Sequence, residues 1–207
     1  MTSEIMHFWA LTQVKPATLL AFLIGSALFI GTVLFKRVGQ ARSEAGGAAP
    51  ARRDLGSLAG VLLQSLRIAL ASGPTRTAGS GWLDGFAAPR TGITAVTIGA
   101  AAGLFIWVAR TMGANWSIVA RMRQGHELVT GGPFAIVRHP IYLAMLLFML
   151  SVAAGTGHEA ALWLAVPVFI VGTLMRTTRE EALLRARFGA AYEDYAHRVK
   201  RFIPGVL

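Results

Sequence analysis

From Pro16 to Phe35 the chain carries no charged residue, and the run stops abruptly at Lys36-Arg37. A helix needs about 20 mostly apolar residues to cross the hydrocarbon core of a bilayer, so this stretch alone directs the chain toward a membrane. Its basic stop fits a cytoplasmic interface. The preceding Met1 to Lys15 stretch is polar and lacks a basic start or an Ala-x-Ala exit, so the helix is expected to be retained rather than cleaved. Four further segments qualify to different degrees. Thr91 to Gly113 is a good span, with Gly99, Ala100, Ala101, Ala102 and Gly103 offering close helix approach. Pro140 to Gly155 and Glu159 to Met175 are separated only by Gly155-Thr156-Gly157-His158, which forces an antiparallel helical hairpin. Leu55 to Ser72 is interrupted by Gln64 and Arg67 and reads either as a span or as an interfacial amphipathic helix.

The rest of the composition agrees with this reading. Of the 207 residues, 54% are hydrophobic and 14% charged, against about 25% charged in a soluble domain. The formal net charge is +10. On a soluble chain that excess would suggest nucleic acid. Here the 20 Lys and Arg residues are dispersed: 16 lie in Lys36–Asp54, Arg110–His139 and Arg176–Leu207, with no run interleaved with aromatics. Lys15, Arg76 and Arg90 fall on the other side, and Arg67 lies within the second apolar segment. The positive-inside rule puts the N-terminus outside and the C-terminal tail in the cytoplasm. Five spans reconcile the two ends, which is why Leu55 to Ser72 is kept as a span. The expected fold is all-α: a polytopic integral membrane bundle with a cytoplasmic C-terminal helix. Residues 1–112 form an N-terminal region with three spans and a basic cytoplasmic loop, whose Gln40 to Arg53 part reads as flexible. Residues 113–207 form a second unit, with a polar loop, the helical hairpin and the C-terminal helix.

Cysteine is absent, which excludes disulfides, thiolate metal sites and cysteine nucleophiles. His7 and His158 fall on the outer face without acids at ligand spacing, so no metal site is expected.

Two polar regions can carry chemistry. The first runs from Asn115-Trp116-Ser117 through His126-Glu127-Leu128-Val129-Thr130-Gly131-Gly132-Pro133-Phe134 to Arg138-His139-Pro140-Ile141-Tyr142. Gly131 and Gly132 can both take positive φ before Pro133 fixes the next residue, so the backbone bends here. His139 precedes Pro140 and is biased to an extended conformation where a helix begins. A reversing loop with Trp116 and Tyr142 as interfacial anchors and Arg138 as a topology charge explains part of this. It leaves His126, Glu127 and His139 in one tight loop unexplained. The second region is Arg176-Thr177-Thr178-Arg179-Glu180-Glu181, on a helix expected to run on through Phe188. Glu181 lies four residues before Arg185, a sufficient structural pair. Arg176 and Glu180 lie one turn apart on one face at the membrane boundary, where they can hold an ammonium, hydroxyls or a carboxylate. Past the break at Phe188-Gly189-Ala190-Ala191-Tyr192, the residues Tyr192, Tyr195 and Phe202 read equally as packing or functional residues.

The order Asn-Trp-Ser, His-x-Leu-Val-Thr-x-Gly-Pro, Arg-His-Pro-x-Tyr, helical hairpin, Arg-x-x-x-Glu-Glu and Phe-Gly-x-x-Tyr-x-x-Tyr resembles the isoprenylcysteine carboxyl methyltransferase family, including bacterial members, and related phospholipid methyltransferases. It covers about Gly113 to Pro204. The resemblance implies a multi-pass enzyme, in a bacterial inner membrane, that uses S-adenosylmethionine at the cytoplasmic face. Cofactor contacts would come from His126, Glu127, Leu128, Val129, Phe134, His139, Pro140, Ile141, Tyr142 and Glu180. Arg176 would face the group to be methylated and Tyr142 would help orient the donor. Phe134 departs from the Tyr common after Gly-Pro, losing a hydroxyl while retaining an aromatic face for the adenine. Position 127 varies, so its contact is expected through the backbone. The acceptor would be amphiphilic: a prenylcysteine-like carboxylate, with a phospholipid amine or small thiol as alternatives. A noncatalytic scaffold or transporter is the rival class, and it should place ionisable groups near the midplane, where the clear spans have none. The Gly-rich spans permit either a monomer or a dimer.

Overall fold

The computed structural model describes residues 20–35 (except Phe22 and Val33), 87–113 and 127–205. These residues form five helices and no strand: α1 (Leu23–Thr32), α2 (Ala87–Met112), α3 (Pro140–Thr156), α4 (Leu162–Phe188) and α5 (Ala190–Arg198). Short 3-10 turns at Gly132–Ala135 and Glu159–Ala161 precede α3 and α4. The expected span at Leu55 to Ser72, the loop Gln40 to Arg53 and His126 lie outside the described residues.

Two helical stretches, Pro89–Met112 and Glu159–Phe188, are long and apolar enough to cross a membrane. The 17 residues of α3 rise about 26 Å, short of a core about 30 Å thick, whereas the 27 residues of α4 rise about 40 Å. The last third of α4 therefore extends beyond the apolar stretch and carries the acids Glu180 and Glu181. Pro167 sits inside α4 without ending it.

The core lies chiefly between α2 and α3. Ala101, Phe105 and Val108 meet Ala144, Phe148, Met149, Val152 and Ala153, and Phe29 of α1 stacks on Phe148 with ring centroids 4.5 Å apart. Small residues permit this approach, but the Ala positions and Gly25 provide it: Gly25 is pressed against Ile98, while no described atom lies within 4 Å of where a Cβ would stand at Gly99 or Gly103. Between its two ends α3 leans on α2 more than on α4. Outward, α4 exposes Trp163, Leu164, Ile170, Val171, Leu174 and Met175, an apolar face suited to lipid.

The hairpin closes as its spacing requires. Gly157 ends α3 at φ 73°, and His158 N–H donates to the Ala153 carbonyl at 2.8 Å, a left-handed cap that glycine adopts at little cost. Beside this turn Arg90 Nη2 stands 3.1 Å from Glu159 Oε1, both side chains almost fully buried. The sequence reading makes Arg90 an outer loop charge. In the structure it lies inside α2 as an ion-pair partner of the hairpin turn, while Ser151 donates to the Thr94 carbonyl one turn along.

Candidate functional site

At the opposite end of the hairpin, residues 127–130 take no regular secondary structure and lead into the turn Gly132–Ala135. Only one of the two glycines takes positive φ: Gly132 is at +59°, whereas Gly131 is extended at −91°. A Cβ at Gly132 would stand 2.7 Å from Thr111 Oγ1 and 3.3 Å from Trp107 Nε1, so the loop backbone rests directly on the end of α2. Phe134 is buried in the core, and its carbonyl accepts a 2.7 Å hydrogen bond from the Tyr195 hydroxyl. Burial raises the ionisation of Tyr195 well above that of an ordinary tyrosine and pushes Tyr192 up to about 12. Both tyrosines of α5 thus serve as neutral packing groups.

His139 caps α3 at φ −126°, ψ 56°, with Pro140 at the first helical position. A short strap from the C-terminal segment holds this junction: Arg138 N–H donates to the Lys200 carbonyl at 2.8 Å and His139 N–H to the Arg201 carbonyl at 3.1 Å. Phe202 lies against the His139 ring, with centroids 5.7 Å apart.

Arg176 and Glu180 meet as their helical spacing requires, Arg176 Nε donating to Glu180 Oε1 at 3.0 Å. The buried Tyr142 hydroxyl donates to the same oxygen at 2.9 Å. The second oxygen, Oε2, lies 3.8 Å from His139 Nδ1. Tyr142, His139, Arg176 and Glu180 therefore converge from α3 and α4, and Glu180 remains partly open to solvent. Glu127, Leu128 and Val129 are partly or fully exposed in the loop, Pro140 is buried, and Ile141 packs against the core.

The sequence reading passes over a residue that the structure makes central. Glu181 is fully buried, and its pairing with Arg185, at 3.4 Å, is the loosest hydrogen bond it makes. Arg201 grips it with two bonds of 2.9 and 2.7 Å, His139 Nε2 lies 3.0 Å from Oε1, and Arg138 Nη2 lies 3.5 Å away. Arg185 turns instead to Glu193 at 2.8 Å. No local spacing announces this cluster, because Arg201 is 20 residues and His139 42 residues distant along the chain. Among the described residues no group of His and acids has the makings of a metal site.

A carboxylate flanked by a phenol, an imidazole and a guanidinium, beside an irregular loop, suits a charged polar ligand that must be held at the edge of an apolar compartment. Comparison with known proteins gives this arrangement a context. Residues 90–191 match the sequence model of the phospholipid methyltransferase family. Over 87 residues the chain is 33% identical to the protein-S-isoprenylcysteine O-methyltransferase of Schizosaccharomyces pombe, covering 42% of this chain and 37% of that protein. It is 27% identical over 113 residues to a polyprenal reductase of Danio rerio, 50% of this chain and 36% of that one. It is 30% identical over 95 residues to the cobalt-zinc-cadmium resistance protein CzcN of Cupriavidus metallidurans, 45% and 44% of the two chains. The chain thus spans less than half the length of each of these relatives. The matched segment begins in α2 and ends in α5, enclosing the whole Tyr142–Glu180–Arg176 array. By that match, together with the identity to an isoprenylcysteine methyltransferase, residues 90–191 resemble the phospholipid methyltransferase family and the isoprenylcysteine methyltransferases in particular.

Proposed function

We propose that the chain is an S-adenosylmethionine-dependent membrane methyltransferase acting on an amphiphilic acceptor, with a prenylcysteine-like carboxylate as its preferred class. The observation that carries this reading is the sharing of one Glu180 oxygen by Tyr142 and Arg176, with the second oxygen turned toward His139. The donor set is Glu127, Leu128, Val129, Phe134, His139, Pro140, Ile141, Tyr142 and Glu180, with His126 ahead of them. Its chemistry fits: Glu180 can accept from an ammonium or from ribose hydroxyls, and the loop backbone can meet a purine edge.

The cofactor would supply an electrophilic methyl carbon on a sulfonium sulfur. The protein's task is then alignment and exclusion of water, since positive charge is dispersed during the transfer. Glu180 holds the donor side, and Tyr142 fixes the orientation of the Glu180 carboxylate. Arg176, on the same helix face, holds an anionic acceptor. A carboxylate acceptor has no proton to lose, so this reaction asks the site for no general base. The lipid-facing side of the hairpin would admit the apolar tail. The five-span topology, with the N-terminus outside and the site in the cytoplasm of a bacterial inner membrane, is part of the same proposal. It is supported by the cluster of Arg138, Arg176, Arg179, Arg185 and Arg201 at the site end, against Arg90 neutralised by Glu159 at the other.

The test is incubation of native membranes containing the protein with radiolabelled S-adenosylmethionine, followed by identification of the labelled product. A labelled methyl ester supports the carboxylate class, whereas a labelled amine or thioether moves the acceptor to a phospholipid amine or small thiol. In detergent, Glu180→Ala and His139→Ala should each weaken S-adenosylmethionine binding more than about tenfold, or about 1.4 kcal/mol. Unchanged binding in both would remove these residues from the site.

A further inference from the structure

The geometry points to Glu181 as the positioning residue of the donor pocket, its carboxylate fixing which nitrogen of His139 carries a proton and which way the ring faces. Glu181 is on α4, fully buried, with its oxygens met by Arg201 at 2.9 and 2.7 Å, Arg138 at 3.5 Å and Arg185 at 3.4 Å. A carboxylate surrounded by guanidinium groups stays ionised and can only accept hydrogen bonds. The 3.0 Å contact to His139 Nε2 therefore requires a proton on Nε2. In a neutral ring the other nitrogen, Nδ1, is then an acceptor, and it is the nitrogen that lies nearest Glu180, at 3.8 Å from Oε2. Adjacent acids on one helix thus divide the work. Glu180 faces the ligand, and Glu181, about 100° round the helix, orients the imidazole beside it.

The same carboxylate ties three separate pieces of chain. Through Arg201 it holds the strap whose carbonyls receive Arg138 and His139 N–H, and the His139 ring is wedged between Tyr142 and Phe202 at 5.8 and 5.7 Å. Backbone bonds fix the position of His139, and aromatic contacts limit its tilt. Neither chooses a tautomer; among the described residues it is Glu181, within hydrogen-bond distance of the ring, that does so. The inference rests on the methyltransferase reading solely for naming S-adenosylmethionine as the ligand.

The test is nitrogen NMR of the detergent-solubilised full chain labelled at histidine, with the His139 signals identified by their loss in His139→Gln. The expected wild-type state has a proton on Nε2. In Glu181→Gln the side-chain amide offers either N–H or C=O, so the ring should become a mixture of tautomers. An unprotonated Nε2 in the wild type overturns the assignment without any variant having to fold, as does an unchanged tautomer in Glu181→Gln. Binding of S-adenosylmethionine should weaken at least tenfold in Glu181→Gln but less than threefold in Arg185→Gln, which removes a neighbouring charge without touching His139. Equal losses of thermal stability in the two variants with no change at the imidazole would mean a merely structural Glu181 and overturn the positioning role. If the wild type binds no S-adenosylmethionine, the functional reading falls while the imidazole signals still decide the role of Glu181.

Discussion

The sharing of one Glu180 oxygen by two donors makes a quantitative prediction. Tyr142→Phe keeps the volume of the side chain and removes one hydrogen bond to a charged acceptor. In soluble proteins that costs about 1.5–3 kcal/mol, but hydrogen bonds between membrane helices reach only about 1.7 kcal/mol. Because Glu180 is 24% exposed and water can take the vacated lone pair, about 1.5 kcal/mol is expected. Glu180→Leu acts from the other side. It strands a buried Tyr142 hydroxyl, at about 1–3 kcal/mol, and removes the carboxylate bound to Arg176, a change of about 3–5 kcal/mol when such a pair is buried. A total near 5 kcal/mol is expected. In the double variant the hydroxyl is already gone, so only the Arg176 part remains, near 3 kcal/mol. The double variant should therefore fall short of the two single changes added together by about 3.5 kcal/mol, just above the usual range of couplings between touching residues. Reversible unfolding in mixed micelles, followed by tryptophan fluorescence, measures all four corners of the cycle. Additivity to within about 0.5 kcal/mol would mean that Tyr142 and Glu180 do not meet, and the site geometry would have to be abandoned.

Three further outcomes are expected. Gly132→Ala should cost about 2–4 kcal/mol, part from positive φ and part from the Thr111 contact, and Thr111→Ala should relieve only the second part; a loss untouched by Thr111→Ala would dissociate the loop from α2. Arg90→Met leaves Glu159 buried without its cation and should destabilise by about 3–5 kcal/mol, most of which Arg90→Met/Glu159→Leu recovers; equal losses in single and double variants, read by thermal unfolding, would mean the pair is not coupled. Tyr192, raised by burial to about 12 from its usual value near 10, gives stability that is complete below pH 10 and is lost as pH rises to 12, about 2.7 kcal/mol in all. The difference between wild type and Tyr192→Phe should follow that window, and a flat difference from pH 9 to 12 would contradict its burial.

What the sequence disclosed depended on how far apart the partners lie. Arg176 and Glu180, one turn apart, are read correctly from spacing, and so are the hairpin at Gly157 and the run of α4 through Phe188. The glycine and alanine content of α2 announces close packing but not which residues make it, since that depends on the direction from which α1 and α3 arrive. Glu181 is assigned to Arg185 because the two are helix neighbours, whereas folding brings Arg201 and His139, distant in the chain, to 3.0 Å or less from a carboxylate that Arg185 reaches only at 3.4 Å. Arg90 is misread for the same reason: a charge near a helix start counts as a loop charge until a distant acid, Glu159, is brought against it. Phe134 has an aromatic face on paper, and in the structure that face is spent largely on the core.

The strap has a consequence for biosynthesis. Arg138 and His139 are made about sixty residues before Lys200 and Arg201, whose carbonyls receive them, an interval of about 3–12 s at ordinary ribosome speeds. Both hairpin helices are made within that interval, and Glu181, made 20 residues before Arg201, waits in the nascent chain for its closest cation. A message cut short ahead of Lys200 would therefore yield a polypeptide that still contains every described helix, and that would pass for intact by its helix content, yet lack the carbonyls that receive Arg138 and His139.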